Sequence, residues 1–93
     1  MIHHIVMWTL VDPAQAPEFK ALLDGCADLV PGMRHFDVAI RTEGLEANAD
    51  VVLVSVFDDA AALDAYQQHP HHKAVGAKLG PMRRTRHVLD FER

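Results

Sequence analysis

Residues Ile2 to Leu10 set apolar side chains on both faces of one strand. Alternation sorts them into His4, Val6, Trp8 and Leu10 on one side and His3, Ile5, Met7 and Thr9 on the other. A strand of that composition needs cover on both sides. The helices that the rest of a 93-residue chain can supply cover one side of a small antiparallel sheet, which points to a partner molecule on the other. Size argues the same way. A chain of this length buries roughly two-thirds or less of the surface it exposes when unfolded, so dimerisation is a natural supplement to the core.

The order of elements follows from punctuation and period. Asp12-Pro13 reads as a helix start, aspartate as N-cap and proline in the first turn, with the helix proper beginning between Ala14 and Pro17. Phe19, Leu22, Leu23, Cys26, Leu29 and Val30 then recur at helical spacing until Pro31-Gly32 ends the run. Met33 to Arg41 alternates Phe36, Val38 and Ile40 against His35, Asp37 and Ala39, a half-buried strand. A polar loop, Thr42 to Asp50, leads to the valine-rich strand Val51 to Phe57. Asp58-Asp59 caps a helix whose inward stripe is Ala62, Leu63 and Tyr66. After a second, shorter helix closed by Gly80-Pro81, the last strand runs from Arg83 to Phe91. Its parity separates Arg84, Arg86 and Val88 from Thr85, His87, Leu89 and Phe91. Strand, helix, strand, strand, helix pair, strand predicts one α+β domain over residues 1–93: a ferredoxin-like antiparallel four-stranded sheet with helices on one face.

Charge and composition exclude several classes of function. A formal charge of −4 argues against a nucleic-acid surface. Arg83, Arg84 and Arg86 cluster locally, but three arginines entering a strand read as a solvated edge or the rim of a dimer. The third strand also lacks the basic and paired-aromatic pattern that RNA-binding sheets use for stacking. Cys26 stands alone, so no internal disulfide forms, and no charged-then-apolar leader precedes the first strand; a reducing, cytoplasmic setting is expected. No apolar run approaches the roughly 18 to 20 residues that span a bilayer.

The chemistry concentrates in Tyr66-Gln67-Gln68-His69-Pro70-His71-His72. Pro70 lacks an amide proton and disfavours helical geometry in the residue before it, so the helix carrying Tyr66 should stop near His69 and a new one start. In that second helix His72, Val75, Gly76 and Leu79 share a face, whereas His71 and Lys73 lie off it. A histidine that takes a proton near neutral pH and a tyrosine that donates to the resulting enolate are what deprotonation beside a carbonyl requires. His69, His71 and His72 are close in sequence, but no cysteine or carboxylate of the segment completes a tetrahedral set, so no metal site is expected. No phosphate-binding glycine loop, nucleophile elbow or flavin motif is present, and no cofactor is expected.

His4-Ile5-Val6-Met7-Trp8, Tyr66-x-x-His69-Pro70-x-His72 and Leu89-Asp90-Phe91 together resemble the stress-responsive A/B barrel, or Dabb, family over essentially the whole length. The resemblance implies a dimeric α/β barrel in which two ferredoxin-like sheets pack face to face as a homodimer. It also implies a cavity between sheet and helices, as in the family's plant polyketide cyclase that forms olivetolic acid. Carried over by position, His72 is then the general base, Tyr66 its partner, and His4 a supporting ligand-facing group. A further cavity histidine of that cyclase falls at Val51, where this pocket is apolar. Strand parity, the helical stripes and the family's pocket together give an expected lining of His4, Val6, Trp8, Phe36, Val51, Leu53, Val75, Leu79 and Val88 around Tyr66 and His72. The expected function is a homodimer that binds a small apolar or aromatic molecule and acts as a cofactor-independent lyase or cyclase. The alternatives are a non-enzymatic stress-related binding or assembly protein and a cofactor-free monooxygenase-like enzyme.

Overall fold

A computed structural model describes residues 1–93. The strands are β1 (Ile2–Leu10), β2 (Met33–Ile40), β3 (Val51–Phe57) and β4 (Arg83–Glu92), and the helices are α1 (Ala16–Asp24), α2 (Ala60–Gln68) and α3 (Pro70–Leu79). The four strands form one antiparallel sheet in the order β2-β3-β1-β4. This is the ferredoxin-like arrangement, with the two most apolar strands at its centre.

One face of the sheet carries the core. Val6, Trp8 and Leu10 from β1, Val38 from β2, and Val51, Leu53 and Phe57 from β3 are buried against Phe19 and Leu23 of α1, Leu63 and Tyr66 of α2, and Val75 and Leu79 of α3. The alternation of β3 is regular, Val51, Leu53, Ser55 and Phe57 buried and Val52, Val54 and Val56 only partly so. Ser55 is the polar residue of that row; its hydroxyl donates to the His4 carbonyl at 2.8 Å, which satisfies it in the core. The opposite face has no helix. Its row runs His35, Val56, His3, Phe91, then Asp37, Val54, Ile5, Leu89, and Met7 and Leu89 are exposed by 46% and 65%. No helix is long and apolar enough to cross a membrane.

Local signals place the helix ends. Asp12 caps a single 3-10 turn, Pro13–Gln15, by accepting from the Ala14 amide at 3.0 Å, and α1 follows directly. Asp59 caps α2 by accepting from the Ala62 amide at 2.8 Å. Two expectations need correction. The apolar stripe from Phe19 predicts a helix running on to Val30, yet α1 ends at Asp24 with Gly25 as its cap. Cys26 is still buried, but through an irregular turn in which Asp28 takes φ 62. The second correction is in β4. The register slips between Thr9 and Leu10, so that Thr9 faces Thr85 but Leu10 faces Arg83, leaving Arg84 as the extra residue of a bulge. Arg83, not Arg84, therefore shares the helix-side face with Arg86. Gly32, at φ 90, closes the turn before β2 where a side chain would meet the Ala62 Cβ at 3.0 Å.

Candidate active site

The hinge between α2 and α3 brings the site together. His69, at φ −60 and ψ 134, caps the end of α2 and the start of α3 at once. Its amide donates to the Tyr66 carbonyl at 3.2 Å, and its Nδ1 accepts from the His71 amide at 3.0 Å. Pro70 supplies the first residue of α3, where its missing donor leaves nothing unsatisfied. The change of direction sets the Tyr66 ring against the His72 imidazole, 4.6 Å between centroids and inclined at 61°. On the other side Phe57 at 5.2 Å and Phe36 at 6.1 Å hold the tyrosine ring.

Tyr66 is fully buried and its hydroxyl has no hydrogen-bond partner. Buried polar atoms are rarely left so. Burial pushes its proton affinity well above the usual phenol range, with Cys26 adding to the effect, so it is a donor at neutral pH. His72 is half-buried, and desolvation lowers its proton affinity; the main chain of Gln67 pulls the other way, while His4, Arg86 and His69 reinforce the fall. A neutral imidazole beside a protonated phenol is the result. From the sheet side, His4 is 2% exposed and its Nδ1 is hydrogen-bonded to the Asp90 carboxylate on β4, directly opposite in register. That pairing commits Nδ1 as the donor and leaves Nε2 as the nitrogen able to act toward a ligand.

These groups surround a cavity of about 140 Å³ between the sheet and the three helices. Of the expected residues, His4, Val6, Trp8, Leu53, Tyr66, His72, Val75 and Leu79 line it together. Phe36, Val51 and Val88 do not. Phe36 stands behind the Tyr66 ring, Val51 is close-packed in the core beside Trp8 and Ile40, and Val88 lies on the edge strand, 47% exposed. Leu23, Gly76, Arg83 and Arg86 complete the wall and were not expected. Asp90 belongs to the closing motif Leu89-Asp90-Phe91, and only the β1–β4 register pairs it with His4, 86 positions away. No group of three or more His, Cys, Asp or Glu side chains converges in a metal-holding arrangement. A larger depression of about 540 Å³ lies on the open sheet face, between Met7, Val52 and His87 and the loop of residues 46–50. It contains neither Tyr66 nor His72.

Comparison with known proteins agrees with this geometry at the level of fold and family. A dimeric ferredoxin-like protein of unknown function from Thermobifida fusca is 26% identical, covers 97% of this chain and 88% of its own, and superposes with a TM-score of 0.85. Another dimeric ferredoxin-like protein of unknown function, from Jannaschia sp., is 29% identical over 98% of this chain and 97% of its own, with a TM-score of 0.80. An antibiotic biosynthesis monooxygenase shares the fold at 15% identity and a TM-score of 0.81, covering 100% of this chain and 98% of its own. A comparison with curated proteins finds no match. The family model described as the Stress Responsive A/B Barrel Domain matches residues 2–93, and the chain belongs to that family.

Proposed function

We propose that this protein is a homodimer that binds a small molecule between sheet and helices and performs cofactor-independent acid–base chemistry on it, in the manner of a lyase or cyclase. The observation that carries the reading is the buried, unpartnered Tyr66 hydroxyl beside a half-buried His72 in a cavity large enough to admit a ligand. His72 removes a proton next to a carbonyl, and Tyr66 donates to the oxygen on which the negative charge develops. His4, held by Asp90, orients the ligand or a water from the sheet side. A base so positioned contributes typically about 10² to 10⁴ in rate. The lone, buried Cys26 suits a reducing compartment, and we assign the protein to the cytoplasm.

The partner is a second copy of the chain, seated on the helix-free face. That face exposes Met7 and Leu89 and carries Ile5, Val54 and Phe91 between them, a contiguous apolar surface that soluble monomers seldom leave open. Two relatives above 25% identity are described as dimeric, which supports this assignment.

The test is a ligand screen by native mass spectrometry followed by turnover assays on whatever binds. A β-dicarbonyl or polyketide-like substrate should be consumed by the wild type, not by His72→Ala, and Tyr66→Phe should lower kcat more than it raises KM. Full activity in a folded His72→Ala variant would overturn the mechanism. Binding without turnover of any carbon acid would leave a non-catalytic binding protein.

A further inference from the structure

Arginines that the sequence alone reads as a solvated edge or the rim of a dimer also stand in the wall of the cavity. Arg86 faces Trp8 across the β1–β4 ladder, and the bulge at Arg84 turns Arg83 onto the same side. We propose that Arg83 and Arg86 make the cavity selective for small organic anions, with a carboxylate head group held at the arginines and an apolar body directed toward Val6, Leu53 and Leu79. This deepens the reading of the cavity as a ligand site and rests on it.

Four observations support the assignment. The polar wall consists of His4, Tyr66, His72, Arg83 and Arg86, with no carboxylate among them. Neither arginine forms an ion pair: the pairs in the chain are His4–Asp90, Lys20–Asp24 and Arg34–Asp58. Asp90, the acid on the same face of β4, is already engaged by His4. The two free guanidiniums therefore make a cationic mouth on a chain whose formal charge is −4, and a local field of opposite sign draws in anions and orients them. Guanidinium is also the side chain whose forked donors match a carboxylate.

The size of the cavity sets the rest of the ligand. At about 140 Å³ it is smaller than the roughly 300–1,000 Å³ of sites that enclose a drug-sized molecule. A compact apolar body fits inside, and anything longer must extend through the mouth past the arginines. The charge of Arg86 also reaches His72 and depresses its proton affinity. A carboxylate on Arg86 would cancel that influence, so binding of the correct ligand would make His72 a stronger base. The other groups acting on His72 are the main chain of Gln67, Tyr66 and His69 from α2 and its end, and His4 from β1, none of them a fixed negative charge.

Hexanoate and hexanamide, which share a shape and differ in charge, test this on the isotope-labelled whole chain by NMR titration at pH 7. Hexanoate should bind at least about tenfold more tightly, the scale expected when one charge contact near a protein surface is gained. The preference should weaken with added salt, since the arginines are exposed. The double variant Arg83→Gln/Arg86→Gln should bind both probes at the hexanamide level, with unchanged resonances elsewhere showing that the fold is kept. Equal affinities in the wild type, a preference that survives in the double variant, or no hexanoate shift in the cavity at millimolar concentration would overturn the proposal. The measurement involves no turnover. Loss of charge preference alongside His72-dependent turnover of a neutral substrate would remove this inference and leave the mechanism; an intact preference without any turnover would do the reverse.

Discussion

The Tyr66 and His72 rings meet at 4.6 Å although six positions separate them in the sequence. On one continuous helix six residues turn through about 600°, leaving the side chains roughly 120° apart. The extended conformation of His69, imposed by the proline that follows it, removes that difference. Contact between the two rings is thus a product of the hinge, and the unpartnered hydroxyl at its centre is a local sacrifice of stability.

Tyr66→Phe should accordingly stabilise the free protein. The variant keeps the packing against Phe36 and Phe57 and deletes a buried hydroxyl that has no partner. An unsatisfied buried polar group costs about 1–3 kcal/mol, so a gain of about 1 kcal/mol is expected. In a domain of this size that raises Tm by roughly 4–8 °C. Calorimetry on the ligand-free variant checks it, and a fall in Tm would show that the hydroxyl has a partner in solution. Loss of activity together with gained stability would be the signature of a catalytic group.

His72 gives a pH dependence with a definite direction. Its folded proton affinity lies below the ordinary value of 6.5, with desolvation the leading cause. Between the folded and unfolded values the unfolded chain binds more protons, so stability from this group is fully present above about 6.5 and is lost as pH falls through the folded value. Activity that needs the neutral imidazole should follow the same limb, with kcat/KM falling on an apparent pKa below 6.5. NMR titration of the ring carbon resonance gives the midpoint directly. Arg86→Gln should move it upward by removing one of the depressing charges. A midpoint above 6.5 in the folded wild type would contradict the burial of this ring.

Gly76 separates the needs of the cavity from those of the helix. It lies in α3 one turn beyond His72, lines the cavity, and a Cβ added there would meet nothing within 4 Å. Gly76→Ala should therefore raise stability by roughly 0.5–1 kcal/mol through helix propensity alone. Gly76→Leu places a branched side chain beside the same space and should block ligand entry while the far-ultraviolet circular dichroism stays that of the wild type. Undiminished ligand binding in Gly76→Leu would place the ligand elsewhere, the depression on the open sheet face being the other candidate.

What could be read from sequence was whatever depends on neighbours in the chain. Pro70 fixes the hinge through its own ring and the residue before it, so the break and the shared face of His72, Val75 and Leu79 were legible. Strand parity held through β1 and β3 because neither is interrupted. It held in β4 from Thr85 to Phe91 and failed only at Arg84, because the bulge there, which turns Arg83 to the helix side, is a property of pairing with β1. Asp90 was illegible as a partner of His4 for the same reason, since only sheet register brings them together. The stripe through Cys26 predicts helix where the chain turns irregularly, because burial in an irregular turn and burial on a helix leave the same apolar pattern. Phe36 and Val51 were assigned to the cavity by facing inward; whether an inward residue borders a void or packs solidly is decided by the sizes of side chains on other elements.

The open sheet face makes a prediction that does not depend on the cavity. Leu89 stands opposite Ile5 in the β1–β4 ladder, and in the next rows Phe91 stacks on His3 at 4.9 Å while Met7 faces His87. A second copy of the sheet laid across these rows would bury each leucine and its neighbours, at roughly 25 cal/mol per Å² of apolar surface removed from water. Leu89→Asp puts a carboxylate at that position in both copies, where it would be desolvated without a cation and repelled by any copy of itself close by. The dimer dissociation constant should rise by at least about 100-fold, which corresponds to roughly 2.8 kcal/mol. Because Leu89 is 65% exposed and points away from the helices, the isolated protomer should keep its core, so the Trp8 fluorescence and the far-ultraviolet circular dichroism serve as controls on folding. Sedimentation equilibrium at micromolar concentration reads the outcome: a dimer in the wild type and a monomer in Leu89→Asp. A monomeric wild type would refute the dimer, and a variant dimer of undiminished affinity would place the interface on a different surface.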